Sequence, residues 1–194
     1  MTSAVRRTKR ERTLAALIEH ALDLFEEQGY EQTTVAQIAR AAGVTEMTFF
    51  RYFPAKENVL LDDPYDPVLT AAIADQPREL PPFIRAVRGI RRAWRALPEP
   101  ETPVIRRRVR IAARTPALRG AVWRSTGNTE RAIVDQLVTD GAAPETARVA
   151  AASVLAALVA GLLSWADDEG GALADAIERA LDVIDPATVM EAPS

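Results

Sequence analysis

A short run of mostly polar residues, Thr45-Glu46-Met47-Thr48 with Arg51 just beyond it, carries side chains suited to contacting a nucleic acid. Hydroxyl, carboxylate and guanidinium groups can pair with the base edges that the major groove of DNA displays. A short, mostly polar helix is what reading that groove requires. The chemistry that this segment indicates is recognition.

Catalytic chemistry finds little support in the composition. The chain has no cysteine and one histidine, which excludes disulfides, thiolate nucleophiles and histidine-based metal sites. It also lacks a glycine-rich phosphate loop and a nucleophile paired with a base. We therefore predict no catalytic residue, no metal and no cofactor. An enzyme is the main alternative to a DNA-binding protein, and this composition argues against it. A protein-interaction adaptor is a second alternative, and it should lack DNA binding with a steep salt dependence.

Charge is distributed unevenly along the chain. Arg6, Arg7, Lys9 and Arg10 form a basic N-terminal arm that could meet phosphate. Residues 78 to 131 hold fourteen arginines against four acids, whereas residues 132 to 194 hold two arginines against eleven acids. Either these two blocks pair with each other across the fold, or some of the arginines meet an anionic ligand or DNA. No apolar segment follows the basic arm, so we expect no signal peptide and a cytoplasmic protein.

The elements that must position these residues are helices. An apolar stripe from Leu14 to Phe25 ends at Gly29, Thr34 and Gln37 have the spacing of a capping box, and Thr45 can cap a third helix through Tyr52. A fourth helix should begin at Pro54 and end before Pro64. Further helices are expected at about 68–75, 82–97, 102–113, 116–140, 144–166 and 171–184, with a frayed tail from 190. This pattern predicts an all-α protein of about nine helices, with domains at 1–63 and 64–190.

Residues 35 to 54 have the features of a helix-turn-helix. Ala39 is small enough to let two helices cross closely, and Gly43 tolerates the positive φ of a tight turn. Ile38, Ala42, Val44, Phe49 and Tyr52 fall where the two helices would bury a shared core. Lys56, near the start of the next helix, is placed to clamp a phosphate.

The segment from Thr33 to Leu60 resembles the DNA-binding domain of TetR/AcrR-type regulators, and the resemblance extends over about residues 8 to 62. It implies an all-helical homodimer, most often a repressor that a small molecule releases from a near-palindromic operator, although an activator stays possible. By position, it implies that Thr34 and Lys56 hold phosphates, that Tyr52 contacts the DNA backbone, and that residues 45 to 48 face base edges. Phe50 departs from the pattern where a tyrosine is frequent, and Glu46 departs where a basic or small residue is common. The expected DNA-binding residues are Arg6, Arg7, Lys9, Arg10, Thr34, Thr45, Glu46, Met47, Thr48, Phe50, Arg51, Tyr52 and Lys56.

Residues 82 to 184 are similar to the C-terminal domain of mycofactocin-type TetR regulators, which implies a fatty acyl-CoA or fatty acid effector. The expected pocket lies between the helices at 82–97, 102–113 and 116–140, and Arg106, Arg107, Arg108 and Arg110 crowd its rim. An alternative is that these arginines only pair with the acidic C-terminal third. The pocket residues are predicted to be Trp94, Ile105, Val109, Arg110, Val122, Trp123 and Thr126.

The helix at 144–166 is apolar around nearly its whole circumference, which predicts burial on all sides. A partner subunit would cover the face that one chain leaves open, and the helix at 171–184 would complete a four-helix dimer interface. A membrane span is the less favoured alternative, because the stretch is short and rich in alanine. The expected interface residues are Ala157, Val159, Gly161, Leu162, Trp165, Ile177 and Leu181.

Overall fold

A computed structural model describes residues 8–62, 66–96, 102–168 and 170–185. Within these ranges every regular element is helical, as the sequence predicts. The helices are α1 (Lys9–Gln28), α2 (Val35–Ala41), α3 (Glu46–Tyr52), α4 (Asn58–Leu61), α5 (Asp66–Ala74), α6 (Pro82–Ala96), α7 (Thr102–Arg114), a 3-10 turn (Pro116–Leu118), α8 (Arg119–Thr139), α9 (Pro144–Asp167) and α10 (Leu173–Ile184). We call residues 8–62 the head and residues 66–185 the body. The predicted boundary near 63 and the tail from 190 lie outside the described residues.

Local capping determines where the helices of the head begin. The Thr34 hydroxyl accepts from the Gln37 backbone N–H, and the Gln37 side chain accepts from the Thr34 backbone N–H, so the predicted capping box is present. A second capping box, between Thr8 and Glu11, starts α1 well before its apolar stripe. The Thr45 hydroxyl accepts from the Thr48 N–H at the start of α3, as expected.

The predicted fourth helix is wrong in its length. Residues 54 to 57 form bends and turns, and α4 contains only the four residues Asn58–Leu61. The reason lies in the side chain of Asn58, whose Oδ1 accepts from the Ala55 N–H at 2.9 Å. Such side-chain bonds to nearby backbone groups compete with helix formation.

The head has an apolar core centred on α1. Leu17, Ala21, Leu22 and Phe25 of α1 are buried together with residues of α2, α3 and α4. Leu118, in the 3-10 turn of the body, belongs to the same cluster. The head and the body therefore share a packed boundary.

The body packs α5 to α10 around a second core, in which α9 contacts α6, α7, α8 and α10. This core buries one ion pair, because Arg85 Nη2 donates to Asp140 Oδ2 at 2.7 Å and both side chains are almost fully inaccessible. By length and composition, α9 is the one helix of the described residues that could cross a membrane. A core helix passes the same test, and one face of α9 is buried in the body.

Candidate nucleic-acid interface

The turn between α2 and α3 presents α3 on the surface of the head. Gly43 has a φ of +68° in this turn, a conformation that side chains other than glycine rarely adopt. The Val44 N–H donates to the Ala39 carbonyl at 2.9 Å, and Ala39 is buried where the helices meet. Ile38 and Phe49 are fully buried beneath them, and Ala42, Val44 and Tyr52 pack against the same core. The predicted roles of Ala39 and Gly43 in the fold are confirmed.

The outward face of α3 carries the side chains that the sequence assigned to base reading. Thr45, Glu46 and Arg51 are exposed, and Met47 is 83% exposed. Thr48 is half-buried, and its hydroxyl lies 3.1 Å from that of Thr45. No ion pair joins Glu46 to Arg51 in the part of the chain that the structure describes. The Arg51 guanidinium instead lies 5.7 Å from the centre of the Tyr52 ring.

The basic arm meets this face through the first turn of α1. The Tyr52 hydroxyl donates to the Arg10 carbonyl at 3.4 Å, which joins the end of α3 to the start of α1. Lys9 and Arg10 are exposed there. Arg6 and Arg7 lie outside the described residues. The backbone of the arm at Arg10 thus lies next to the end of α3.

The sequence places Lys56 near the start of the fourth helix, whereas in the structure it lies in the turn before α4, which begins at Asn58. Its ammonium donates to the Tyr30 and Thr33 carbonyls, each at 2.7 Å, and lies 4.1 Å from the centre of the Tyr30 ring. Partial burial is the largest effect on this ammonium and lowers the Lys56 pKa. Burial and the nearby Glu57 carboxylate raise the pKa of Tyr30 to about 12. Two of the three ammonium protons of Lys56 thus hold the loop before α2. Its contact with a phosphate stays a prediction.

The arginines of α7 bind other parts of the same chain, which corrects their assignment to a pocket rim. Arg106 contacts the carbonyls of Asp168 and Gly171 and lies over the Trp165 ring at 4.3 Å. Arg110 donates to the Ala166 carbonyl at 2.7 and 3.0 Å. Both guanidiniums satisfy carbonyl groups at the end of α9 and in the loop after it.

Arg107 and Arg108 of α7 bridge the body to the head, which the sequence did not predict. Arg107 donates to both carboxylate oxygens of Glu26, at 2.9 and 2.7 Å, and to Asp23 at 2.7 Å. The hydrogen bond to Glu26 is the main reason that the pKa of Arg107 is raised. Arg108 donates to the Val59 carbonyl. The partners of Arg107 are therefore acids of α1 and not the acidic C-terminal third.

The predicted effector residues do not enclose a common cavity. Trp123 is 80% exposed, and Val122 packs against the core of the head. Trp94, Ile105 and Val109 instead pack against the core of the body, and Thr126 is half-buried. Two open grooves lie beside the arginines of α6, and the second also runs along α10. The expected pocket wall is thus corrected at Val122 and Trp123, because α8 turns these residues towards the head and towards solvent.

The predicted dimer residues divide between the two sides of α9 and its neighbour α10. Trp165, Ile177 and Leu181 are buried within one chain, so they are unavailable to a partner. A Cβ at Gly161 would lie 2.7 Å from the Cβ of Ala180, so this glycine serves the contact between α9 and α10 of the same chain. Burial within one chain argues against Trp165, Ile177 and Leu181 as interface residues, whereas the half-buried Gly161 stays a prediction. Ala157, Val159 and Leu162 are half-buried at the edges.

A different face of α9 is open, and the sequence analysis missed it. Val149 is 63% exposed and Leu163 is 41% exposed, with Ala156 midway between them. Their spacing of seven residues places them in one row along the helix. This spacing of seven residues could have indicated the open face from the sequence. The signal is obscured because apolar residues surround the whole helix. The exposed residues of this face are Val149, Ala152, Ser153, Ala156, Ala160 and Leu163.

The fold and this interface define a helix-turn-helix protein with a helical second domain, and comparison with known proteins agrees. Residues 17–62 match the family model of bacterial regulatory proteins, tetR family, and residues 81–188 match the MftR C-terminal domain. The chain belongs to the TetR family of transcriptional regulators, with a C-terminal domain of the MftR type. Its homologues are transcriptional regulators and not enzymes.

Three relatives illustrate the similarity. The transcriptional regulator TcmR of Streptomyces glaucescens is 54% identical over 57 residues, which are 29% of this chain and only 25% of TcmR. A Mycobacterium tuberculosis protein named for regulation of mycofactocin biosynthesis, MftR, is 26% identical over 176 residues, or 84% of this chain and 85% of MftR. The structure of NalD, the secondary repressor of the MexAB-OprM multidrug efflux pump in Pseudomonas aeruginosa, has a TM-score of 0.56 at 25% identity, covering 91% of this chain and 95% of NalD.

Proposed function

We propose that the protein is a homodimeric repressor that binds a near-palindromic operator through α3 and leaves it when a small molecule binds the body. The observation that carries this proposal is the outward face of α3, fixed by the turn at Gly43 and flanked by Lys9 and Arg10. Thr45, Glu46, Met47, Thr48, Phe50 and Arg51 meet the base edges, whereas Thr34, Tyr52 and Lys56 meet the backbone with the basic arm.

The homodimer forms through the open face of α9 defined above. From Val149 to Leu163 this face extends for about 20 Å along the helix axis, and every side chain on it is apolar or a serine. A second copy would cover this row by twofold symmetry, which makes each copy bury the same residues. The half-buried Ala157, Val159 and Leu162 would line its edges. This arrangement also accounts for α9 without placing it in a membrane, and the protein acts in the cytoplasm.

The effector acts by separating α7 from its partners. Because Arg107 and Arg108 join α7 to α1 and α4, a ligand that moves α7 also moves the head. Trp94, Ile105, Val109 and Thr126 lie along the helices that would have to open. The ligand is a small, mainly apolar molecule, and a fatty acid or fatty acyl-CoA is the first class to test. Release of most bound protein requires a preference of a few kcal/mol for the free state.

Selection from a pool of random DNA duplexes tests the proposed function. A dimeric repressor should enrich two related half-sites in inverted orientation, with centres about one helical turn apart. Addition of fatty acids or acyl-CoAs should then release the selected duplex. Enrichment of no sequence, with equal retention of all duplexes, would contradict the proposal and favour the adaptor.

A further inference from the structure

The outward face of α3 has an unusual chemical character for a helix that reads DNA, because two of its largest side chains, Met47 and Phe50, are apolar. Met47 is 83% exposed and Phe50 is 50% exposed. They are three residues apart, so they are neighbours on one side of the helix. Neither side chain offers a strong hydrogen bond to a phosphate or to a polar base edge.

The two side chains differ in how firmly they are held. The Phe50 ring meets the Phe49 ring edge to face, with 5.6 Å between centres and 87° between planes, and Phe49 is fully buried. This contact orients Phe50 before any ligand arrives. Met47 has an unbranched thioether side chain that adapts to the surface it meets. The pair therefore combines a fixed apolar contact with an adjustable one.

The polar groups of the same turn are already partly used. The Thr45 hydroxyl accepts from the Thr48 N–H at 3.2 Å and lies 3.1 Å from the Thr48 hydroxyl. Glu46 and Arg51 then supply the charged groups of this face. A large part of the surface that α3 places against the floor of a groove is consequently apolar.

From this arrangement we infer that Met47 and Phe50 recognise the C5-methyl groups of thymine, so that each operator half-site is specified partly by methyl contacts. The inference rests on the proposed DNA binding and deepens it. The thymine methyl is the one apolar group that the natural base pairs present in the major groove. Because 5-methylcytosine presents a methyl at the same position, α3 should also accept a methylated cytosine in place of a contacted thymine.

Substitution of deoxyuridine for thymidine in the selected duplex isolates this methyl group. Uracil pairs as thymine does and keeps the O4 acceptor, so only the methyl is lost. At the contacted positions, binding should weaken by about fourfold for each methyl that is buried against the protein. In variants of the duplex that carry cytosine in place of a contacted thymine, replacing that cytosine by 5-methylcytosine should restore part of the lost affinity, because the methyl returns to the contacted position.

Variants of the protein locate the contact. The Phe50→Ala and Met47→Ala proteins should bind the thymine and uracil duplexes with equal affinity at the positions that each residue contacts. The Lys9→Ala protein should instead lose affinity for both duplexes by the same factor. Helical content measured by circular dichroism verifies that the variants fold, and both apolar residues are exposed enough to be replaced. If wild type binds the selected duplex but no thymine can be distinguished from uracil, the inference is overturned while the regulator stands. If no duplex is bound at all, the proposed function itself is overturned.

Discussion

The head and the body each expose an apolar surface, and the two surfaces differ in the size of their side chains. On α3 the exposed apolar residues are large and project from the helix, as Met47 and Phe50 do. On α9 they are mainly alanines, with Val149 and Leu163 at either end. Projecting side chains reach into a groove, whereas small ones allow two helix axes to approach to about 8 Å. The size of exposed side chains thus indicates which partner a surface fits.

The largest effect is expected on the α9 surface. Ala156→Asp would bury an unpaired charge between two copies, which costs several kcal/mol. Light scattering should show a monomer where wild type is a dimer, and operator affinity should fall by about 100-fold. Ala113→Asp, at an exposed alanine of α7, is the control and should leave the dimer intact. A dimer that persists in the Ala156 variant would remove the α9 face from the interface.

The next effect concerns the interior of the body, where charge is buried instead of exposed. Asp140→Asn leaves Arg85 without its carboxylate and should lower the free energy of unfolding by about 3 kcal/mol. Denaturant titration measures this loss. Asp135→Asn, at an exposed position of α8 shortly before Asp140, should change stability by less than about 0.5 kcal/mol. If both variants lost the same free energy of unfolding, the buried pair would contribute no more to stability than an exposed aspartate does.

The pH dependence gives a second test of that pair. The hydrogen bond from Gln136 and the contact with Arg85 hold the pKa of Asp140 below its ordinary value of 3.8. A carboxylate with a lowered folded pKa contributes stability above pH 3.8 and loses it as the pH falls through the folded value. Wild type should therefore lose this contribution below about pH 4, and Asp140→Asn should lack that part of the acid dependence. An unchanged acid profile in the variant would contradict the assignment.

The boundary between head and body should give a smaller effect. Arg107 holds Glu26 and Asp23 from a partly exposed position, and pairs of this kind contribute about 1 kcal/mol or less. A double-mutant cycle with Arg107→Gln and Glu26→Gln measures their coupling. The matched control pair is Arg114 and Asp167, which are 3.5 Å apart and mostly exposed. A double-mutant cycle on this pair should show almost no coupling energy. If the two cycles agree, Arg107 does not hold α7 to the head.

The smallest effect is expected at Trp123. Its side chain is 80% exposed, so Trp123→Ala should change the free energy of unfolding by less than about 0.5 kcal/mol. The variant should also lose the tryptophan fluorescence component with the most water-like emission. Trp165→Ala is the comparison, because Trp165 is buried and should be costly to remove. A large loss of stability at Trp123 would show that this residue is covered.

Sequence reasoning succeeded where structure is decided locally. The caps at Thr34 and Thr45 and the turn at Gly43 depend on residues within five positions of one another, so the helix-turn-helix could be predicted. The bonds of Arg106, Arg107 and Arg110 join residues 56 to 84 positions apart, and no local pattern reveals them. On α9, apolar residues surround the helix and leave no polar side to mark its orientation. Gly161 and Ala156 could therefore be assigned to faces only from the structure.

Salt dependence of operator binding tests the central claim most directly. The affinity for the selected duplex and for a scrambled duplex is measured by fluorescence anisotropy at several salt concentrations. The protein should bind the selected duplex at least about 1,000-fold more tightly than the scrambled one, and the logarithm of its affinity should fall steeply and linearly with the logarithm of the salt concentration. Lys9→Ala should flatten that slope by about one unit without changing the preference between the duplexes. Equal binding of both duplexes with no dependence on salt would contradict the account.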